Sequence, residues 1–383
     1  MSTPPGFSGS GTKPNDAPEL LVGRILDGRY RLERVLSAGG MGIVFLATQV
    51  TVQRKVAVKI IKPSLARNND LVRRFMDEIE ISGSLSHPNI VSIYDTGRDL
   101  AGLNYIAMEF VEGETFRDAL MHSRLSLLEI LHVFVQVCDA LIEAHELGII
   151  HRDLKFENIM LCRNRDRRIH SKVLDFGVAK QLFHDKAITR MGEIPGTPGI
   201  IAPELLDSIE PSAQSDLYSV GVLLFTALTG RAPFEGDTDF EVMRAHKMDD
   251  VPDLYSLVGD HVPEEIIELA YELMQKDPQS RPDGAEAVRD RLERIIRTLE
   301  RQMMDHPRYV PPATAGIRPL QAPQMVDPAS MRSQEFQARP EKEIAHQPED
   351  VAPSSIVALL IGIVIILVVV IIYLLFRQHA PVP

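Results

Sequence analysis

Lys59, Asp153, Lys155, Asn158 and Asp175 are the residues of this sequence whose types and spacing could do chemistry together. Lys59 ends Val56-Ala57-Val58-Lys59. Asp153, Lys155 and Asn158 share His151-Arg152-Asp153-Leu154-Lys155-Phe156-Glu157-Asn158, and Asp175 opens Asp175-Phe176-Gly177. A carboxylate can take a hydroxyl proton, side-chain oxygens suit a hard cation, and lysines neutralise an anion. Upstream lies a glycine-rich run, Leu36-Ser37-Ala38-Gly39-Gly40-Met41-Gly42-Ile43-Val44. Small residues there would let backbone N–H groups approach anionic oxygens. No single piece is specific: a glycine-rich turn can be a plain hairpin, a strand-end lysine can simply be exposed, and an Asp-Phe-Gly tripeptide is common.

The elements that must position these residues follow from periodicity. From Arg29 to Val111 short β-branched and aromatic runs recur, such as Ile43-Val44-Phe45-Leu46 and Val56-Ala57-Val58-Lys59-Ile60-Ile61, interrupted by one helical pattern, Leu71 to Leu85. Beyond Val111 apolar residues recur at three and four, as from Leu127 to His145, and an apolar helix is predicted from Asp216 to Thr229. The expectation is an α+β chain in which a small β-rich lobe precedes a larger α-helical one. Met1 to about Pro18 is rich in Ser, Gly, Thr and Pro without a signal-peptide pattern, and residues 1–29 are expected to be a disordered leader.

The chain has 383 residues, 45% of them hydrophobic, enough for a sizeable core. Its net charge is −12 and no dense Lys/Arg cluster is present, which argues against nucleic acid as a partner. Cys138 and Cys162 lie in apolar segments without CxxC spacing and read as buried thiols. Residues 301–355 are polar and proline-punctuated, the composition of a linker. Ile356 to Phe376 carries no charge and only Gly362 and Tyr373 depart from its aliphatic run. As a helix at ~1.5 Å per residue it would reach about 31 Å, matching the ~30 Å bilayer core. A transmembrane helix over 356–376 with a short tail, 377–383, is therefore expected.

Seven motifs occur here in the order and approximate spacing of the protein kinase family, which the chain resembles from about Tyr30 to about Ile296. The remaining ones are His87-Pro88-Asn89-Ile90-Val91, Gly196-Thr197-Pro198-Gly199-Ile200-Ile201-Ala202-Pro203-Glu204 and Asp277-Pro278-Gln279-Ser280-Arg281-Pro282. The Gly39-Gly40-Met41-Gly42 wording and the order of kinase, linker and single span resemble the transmembrane eukaryotic-like (Hanks-type) kinases of bacteria. The resemblance implies a two-lobed protein kinase fold over residues 30–300 and transfer of the γ-phosphate of ATP, with Mg²⁺ or alternatively Mn²⁺, to protein hydroxyls.

It further implies a role for each matching residue. The glycine-rich run would cover the phosphates, Lys59 would contact them, and Glu78 would pair with Lys59, Glu80 being its nearest rival. Asp153 would orient the substrate hydroxyl and take its proton, and Lys155, the type associated with serine/threonine specificity, would neutralise the moving phosphoryl. Asn158 and Asp175 would ligand the metal, and Thr197 would help form the substrate platform. The adenine site would use Leu36, Val44, Ala57 and Met160 as walls, Met108 as gatekeeper, and the Glu109 and Val111 backbone. Glu204 would pair with Arg281, and Asp216 would hold the catalytic-loop backbone. Thr189 is the candidate autophosphorylation site.

The sequence departs from the family pattern at Ser37, Phe156 and Gly199-Ile200-Ile201. These favour an alternative, a pseudokinase scaffold, against which Lys59, Glu78, Asp153, Asn158 and Asp175 are all intact. A small-molecule phosphotransferase of related fold is the other rival, and it should lack the motifs around Thr197 and Glu204. The expected topology puts the kinase domain in the cytoplasm. Seven residues after Phe376 leave no expected extracytoplasmic sensor, so input is expected from membrane or cytosolic partners or from homodimerisation through the span.

Overall fold

The computed structural model describes residues 18–39, 42–61, 79, 83–122, 124–163, 166, 168–176 and 198–305. The alternating apolar runs of the first half form β1 (Ile25–Leu26), β2 (Tyr30–Ala38), β3 (Gly42–Gln49), β4 (Arg54–Ile61), β5 (Ile93–Arg98) and β6 (Asn104–Glu109). They make one antiparallel sheet in the order β1-β2-β3-β4-β6-β5. Because strand side chains alternate, the sheet covers two different clusters. Ile43, Phe45, Val56, Val58 and Ile60 pack with Tyr30, Leu32 and Tyr105 on one face. Ala57, Ile61, Ile106 and Met108 pack on the other with Val111, and Leu36, Val44 and Met160 lie against them.

The fold starts earlier than the sequence suggested. Residues 18–29, expected to belong to a disordered leader, contain a 3-10 turn at Pro18–Leu21 and strand β1. Leu26 is fully buried in the sheet's core, and Arg24 reaches Asp99 across a 2.6 Å ion pair. The burial of Leu26 contributes ~1.5–3 kcal/mol toward ordering this stretch, beside the pairing of the two extra strand residues. Residues 1–17 lie outside the described residues.

The second half is helical around a small sheet, β7 (Glu114–Thr115), β8 (Ile159–Arg163) and β9 (Ile169–Val173). Its helices are α1 (Phe116–Met121), α2 (Leu127–Glu146), α3 (Ala213–Thr229), α4 (Asp239–Met248), α5 (Leu254–Val258), α6 (Glu264–Leu273) and α7 (Ala285–Asp305). Helix α2 starts where Ser126 and Glu129 form a reciprocal capping box. Helix α3 begins at Ala213, ahead of the expected Asp216, because Ser212 and Ser215 cap its first turn. That moves Asp216 into the first turn of a helix buried continuously from Ser215 to Thr229. Helix α7 extends to Asp305, a turn beyond the expected end of the domain at residue 300, with Leu299 still buried.

Within the helical lobe Arg281 and Glu204 meet as expected, through two parallel 2.8 Å bonds in a buried pair. Arg281 also donates to the carbonyls of Gln275 and Gln214 at 2.8 and 2.7 Å, so its guanidinium is well satisfied. Among the described residues no helix is long and apolar enough to cross a membrane. The expected span 356–376, most of the linker and the tail lie outside them, as does most of the helical pattern Leu71 to Leu85.

Candidate active site

Asp216 organises the loop that carries the candidate chemistry. Its buried carboxylate accepts the His151 and Arg152 backbone N–H groups at 2.8 and 3.0 Å, and His145 Nε2 lies 2.9 Å away. Arg152 takes a left-handed φ of 64°. Such a backbone is unfavourable for a residue with a Cβ and persists only where its surroundings hold it, as these two bonds do. His151 is buried, and desolvation pushes its pKa down, which keeps the ring neutral. Its Nε2 faces the Leu174 carbonyl at 2.9 Å, and its ring packs edge-on to Phe176 at 4.7 Å. The loop is thereby tied to the segment bearing Asp175.

On this scaffold Asp153 keeps its carboxylate partly open to solvent, 2.9 Å from Lys155 Nζ. Asn158 donates from Nδ2 to the Asp153 carbonyl at 2.8 Å and more loosely to its carboxylate at 3.4 Å. Asp175, at the end of β9, has φ 54° and points its carboxylate at Lys59 Nζ, 2.8 Å away. Lys59 comes from β4 of the other lobe, so this pair bridges the cleft. The expected partner Glu78 lies outside the described residues, as do Glu80, Gly40, Met41, Thr189 and Thr197.

Between the lobes lies a cavity of about 980 Å³. It is lined by Leu36, Val44, Ala57, Met108, Val111 and Met160, which cluster together, and by Lys59, Asp153, Lys155, Asn158 and Asp175, with Ser37, Ala38, Gly39, Gly42 and Glu109 also on its wall. A cleft with an apolar part and a charged part suits a ligand built the same way. Gly42 is required for close approach, since a Cβ there would lie 2.6 Å from the Ile60 carbonyl oxygen. One assignment is corrected: Ile43 is absent from the cavity wall and buried in the opposite cluster, because strand alternation turns it away from its neighbours Gly42 and Val44.

The donor set fits a hard divalent cation. With Nδ2 of Asn158 committed to Asp153, its amide oxygen and the Asp175 carboxylate are the side-chain oxygens left for an ion. Among the described residues no group of three or more His, Cys, Asp and Glu could enclose a metal. Mg²⁺ is commonly held by one or two protein oxygens together with phosphates and water, the number these two residues offer.

Sequence reasoning missed three features. His145, a lone histidine in a helix, gives no sign of touching Asp216. Gly113 lines the cavity and abuts the Leu161 carbonyl, leaving no room for a Cβ. Lys172 in β9 pairs with Glu109 at 2.9 Å and so links the lobes beside the cavity. Phe156 is a core residue, packed edge-on against Phe116 at 5.1 Å.

The family model for the protein kinase domain matches residues 30–292. The chain belongs to the protein kinase family. Among relatives of this kinase domain, pkn3 of Myxococcus xanthus, a serine/threonine-protein kinase, is 34% identical over 315 residues, 81% of this chain and 57% of that protein. PrkC of Bacillus subtilis, also a serine/threonine-protein kinase, is 35% identical over 268 residues, 70% of this chain and 40% of that protein. The chain thus spans about half the length of these relatives. The crystal structure of the PknI kinase domain of Mycobacterium tuberculosis superposes with a TM-score of 0.56 at 25% identity, covering 73% of this chain and 98% of that one.

Proposed function

We propose that this chain is a serine/threonine protein kinase that transfers the γ-phosphate of ATP to protein hydroxyls with Mg²⁺. The observation that carries the reading is the convergence of Asp153, Lys155 and Asn158 with the Lys59–Asp175 pair in a single cleft. In this reading Asp153 orients the incoming hydroxyl and accepts its proton, while Lys155 offsets charge on the phosphoryl group in flight. Lys59 holds the phosphates, and Asn158 and Asp175 hold the metal, whose chemistry is to neutralise phosphate charge. Leu36, Val44, Ala57 and Met160 sandwich the base, with the Glu109 and Val111 backbone reading its edge. Thr197 completes the platform, and Thr189 is the candidate autophosphorylation site.

The apolar stretch Ile356 to Phe376 supports a membrane-anchored kinase whose catalytic domain faces the cytoplasm, where ATP is present. Its substrates would then be proteins at or near the membrane, and its input would come from partners or from homodimerisation through the span. Labelled ATP with Mg²⁺, given to wild type beside Asp153→Asn and Lys59→Met, tests the catalytic part. Phosphate incorporation surviving both changes would refute it. Fractionation of cells making the chain with and without residues 356–383 tests the anchor, which requires the intact chain in membranes and the shortened one out of them.

A further inference from the structure

Glu157 is the one ionisable residue between Asp153 and Asn158, Lys155 aside, and phosphoryl transfer as proposed above gives it no role. It nevertheless lies on the wall of the cleft, two residues beyond Lys155, with its side chain 44% exposed. When a substrate hydroxyl reaches Asp153, the residues flanking that hydroxyl pass this wall. A carboxylate so placed, in a chain of net charge −12, would draw cationic side chains to the mouth of the cleft.

The chain supplies that cation itself. Arg117 of α1 donates from Nη1 to Glu157 Oε1 at 2.8 Å. The pair is held from beneath. Phe116 and Phe156, the residues preceding the two partners, are buried and meet edge-on at 5.1 Å, and Phe134 packs edge-on to Phe116 at 5.8 Å. These rings fix the 3-10 turn Phe156–Asn158 against the start of α1, so Arg117 and Glu157 leave the core side by side. Any substrate cation has to displace Arg117 to reach Glu157. Glu114 is occupied in the same way: it stands between Gly113 and Thr115, both on the cleft wall, and Arg124 donates to it at 2.8 Å. Two carboxylates at the mouth are thus neutralised by arginines of the same chain.

We infer that Arg117 is a specificity-determining residue: by occupying Glu157 it removes the preference for a basic residue beside the target hydroxyl, so that hydroxyls in neutral or acidic surroundings are accepted equally. The inference rests on the kinase reading above and narrows its substrate class. The effect is that of one partly exposed ion pair, worth ~0.2–1 kcal/mol, enough to bias a choice between substrates without controlling the chemistry.

The test gives labelled ATP, Mg²⁺ and a degenerate library of threonine peptides, randomised on both sides of the acceptor, to full-length wild type, Arg117→Ala and Arg117→Ala/Glu157→Gln. Arginine enrichment in the phosphorylated peptides is read position by position, with KM for ATP measured alongside. Wild type should show no enrichment. Arg117→Ala should enrich arginine about 2- to 5-fold at one flanking position, and the gain should shrink as salt rises. The double variant should lose the gain, and KM for ATP should be the same in all three. Should the alanine variant fail to fold, Arg117→Gln, which keeps the packing of the stem, takes its place with the same expected gain. A folded Arg117 variant without arginine enrichment overturns the inference, as does wild type already enriched for arginine. A gain that persists in the double variant also overturns it, since Glu157 would then not be the group unmasked. Wild type that transfers no phosphate from ATP to any acceptor contradicts instead the kinase reading beneath it.

Discussion

Lys59 Nζ lies 2.8 Å from Asp175 Oδ2, joining a strand of the β-rich lobe to the end of β9 across the cleft. The lysine is well buried and the aspartate about a third exposed, so the pair stands at the cleft's edge rather than in its core. A nucleotide entering with its metal would draw Lys59 onto its phosphates and Asp175 onto the metal. Asp175→Asn should therefore abolish the gain in ATP affinity that Mg²⁺ brings, while leaving metal-free nucleotide binding within about 3-fold. Lys59→Met should lower kcat/KM by about 100-fold or more, the scale of losing one oriented electrostatic group. Calorimetric titration of ATP with and without Mg²⁺, beside steady-state kinetics, checks both.

Glu204 and Arg281 form a buried, bidentate pair, and breaking it should be a matter of stability before chemistry. Arg281→Met leaves the Glu204 carboxylate buried without its partner and should cost about 3–5 kcal/mol in urea unfolding. Removing both charges in Glu204→Gln/Arg281→Met should cost less than the single change. A double variant as unstable as the sum of the two single ones would show that the pair is not coupled.

Asp216 accepts two backbone N–H groups that hold Arg152 at φ 64°. Asn at this position keeps the volume but turns one of its two ends into a donor facing donors. Asp216→Asn should lower kcat at least 10-fold with KM for ATP changed by less than about 2-fold, because the apolar wall of the cleft is untouched. Stopped-flow and steady-state assays separate the two parameters.

Acid should destabilise the folded chain partly through His246. Burial holds its folded pKa at about 4, against about 6.5 for a free imidazole. The unfolded chain therefore binds the proton first, and the contribution is complete above about pH 6.5 and lost as pH falls toward 4. Its size is at most about 3 kcal/mol. His151, also pushed down by burial, acts with the same sign. Urea unfolding at pH 7 and pH 5 should give a smaller pH-dependent loss for His246→Gln than for wild type.

The parts of the site that were legible in the sequence are those where neighbours in the chain are neighbours in space. Asp153, Lys155 and Asn158 lie within one loop and one 3-10 turn, so their motif fixes their geometry. Asp175 was legible because a strand delivers it beside that loop. Ile43 was misread because membership of a motif says nothing about strand face, and alternation put it in the opposite core. Residues 18–29 were misread despite Leu20-Leu21-Val22 and Ile25-Leu26, because the burial of Leu26 is a long-range property of the sheet. The contacts of His145 and His246 join residues 71 and 28 positions apart, and one histidine in a helix carries no local signal for either.

Phosphoryl transfer in this chain depends on Asp153. The most direct measurement is Mg²⁺-dependent transfer of labelled phosphate from ATP to a substrate protein by the full-length chain and by Asp153→Asn, with ATP affinity determined for both. Wild type should transfer phosphate, the variant should do so about 100-fold or more slowly, and their ATP affinities should lie within about 3-fold of each other. Equal transfer by both proteins, or wild type that binds ATP and transfers none, would contradict this reading.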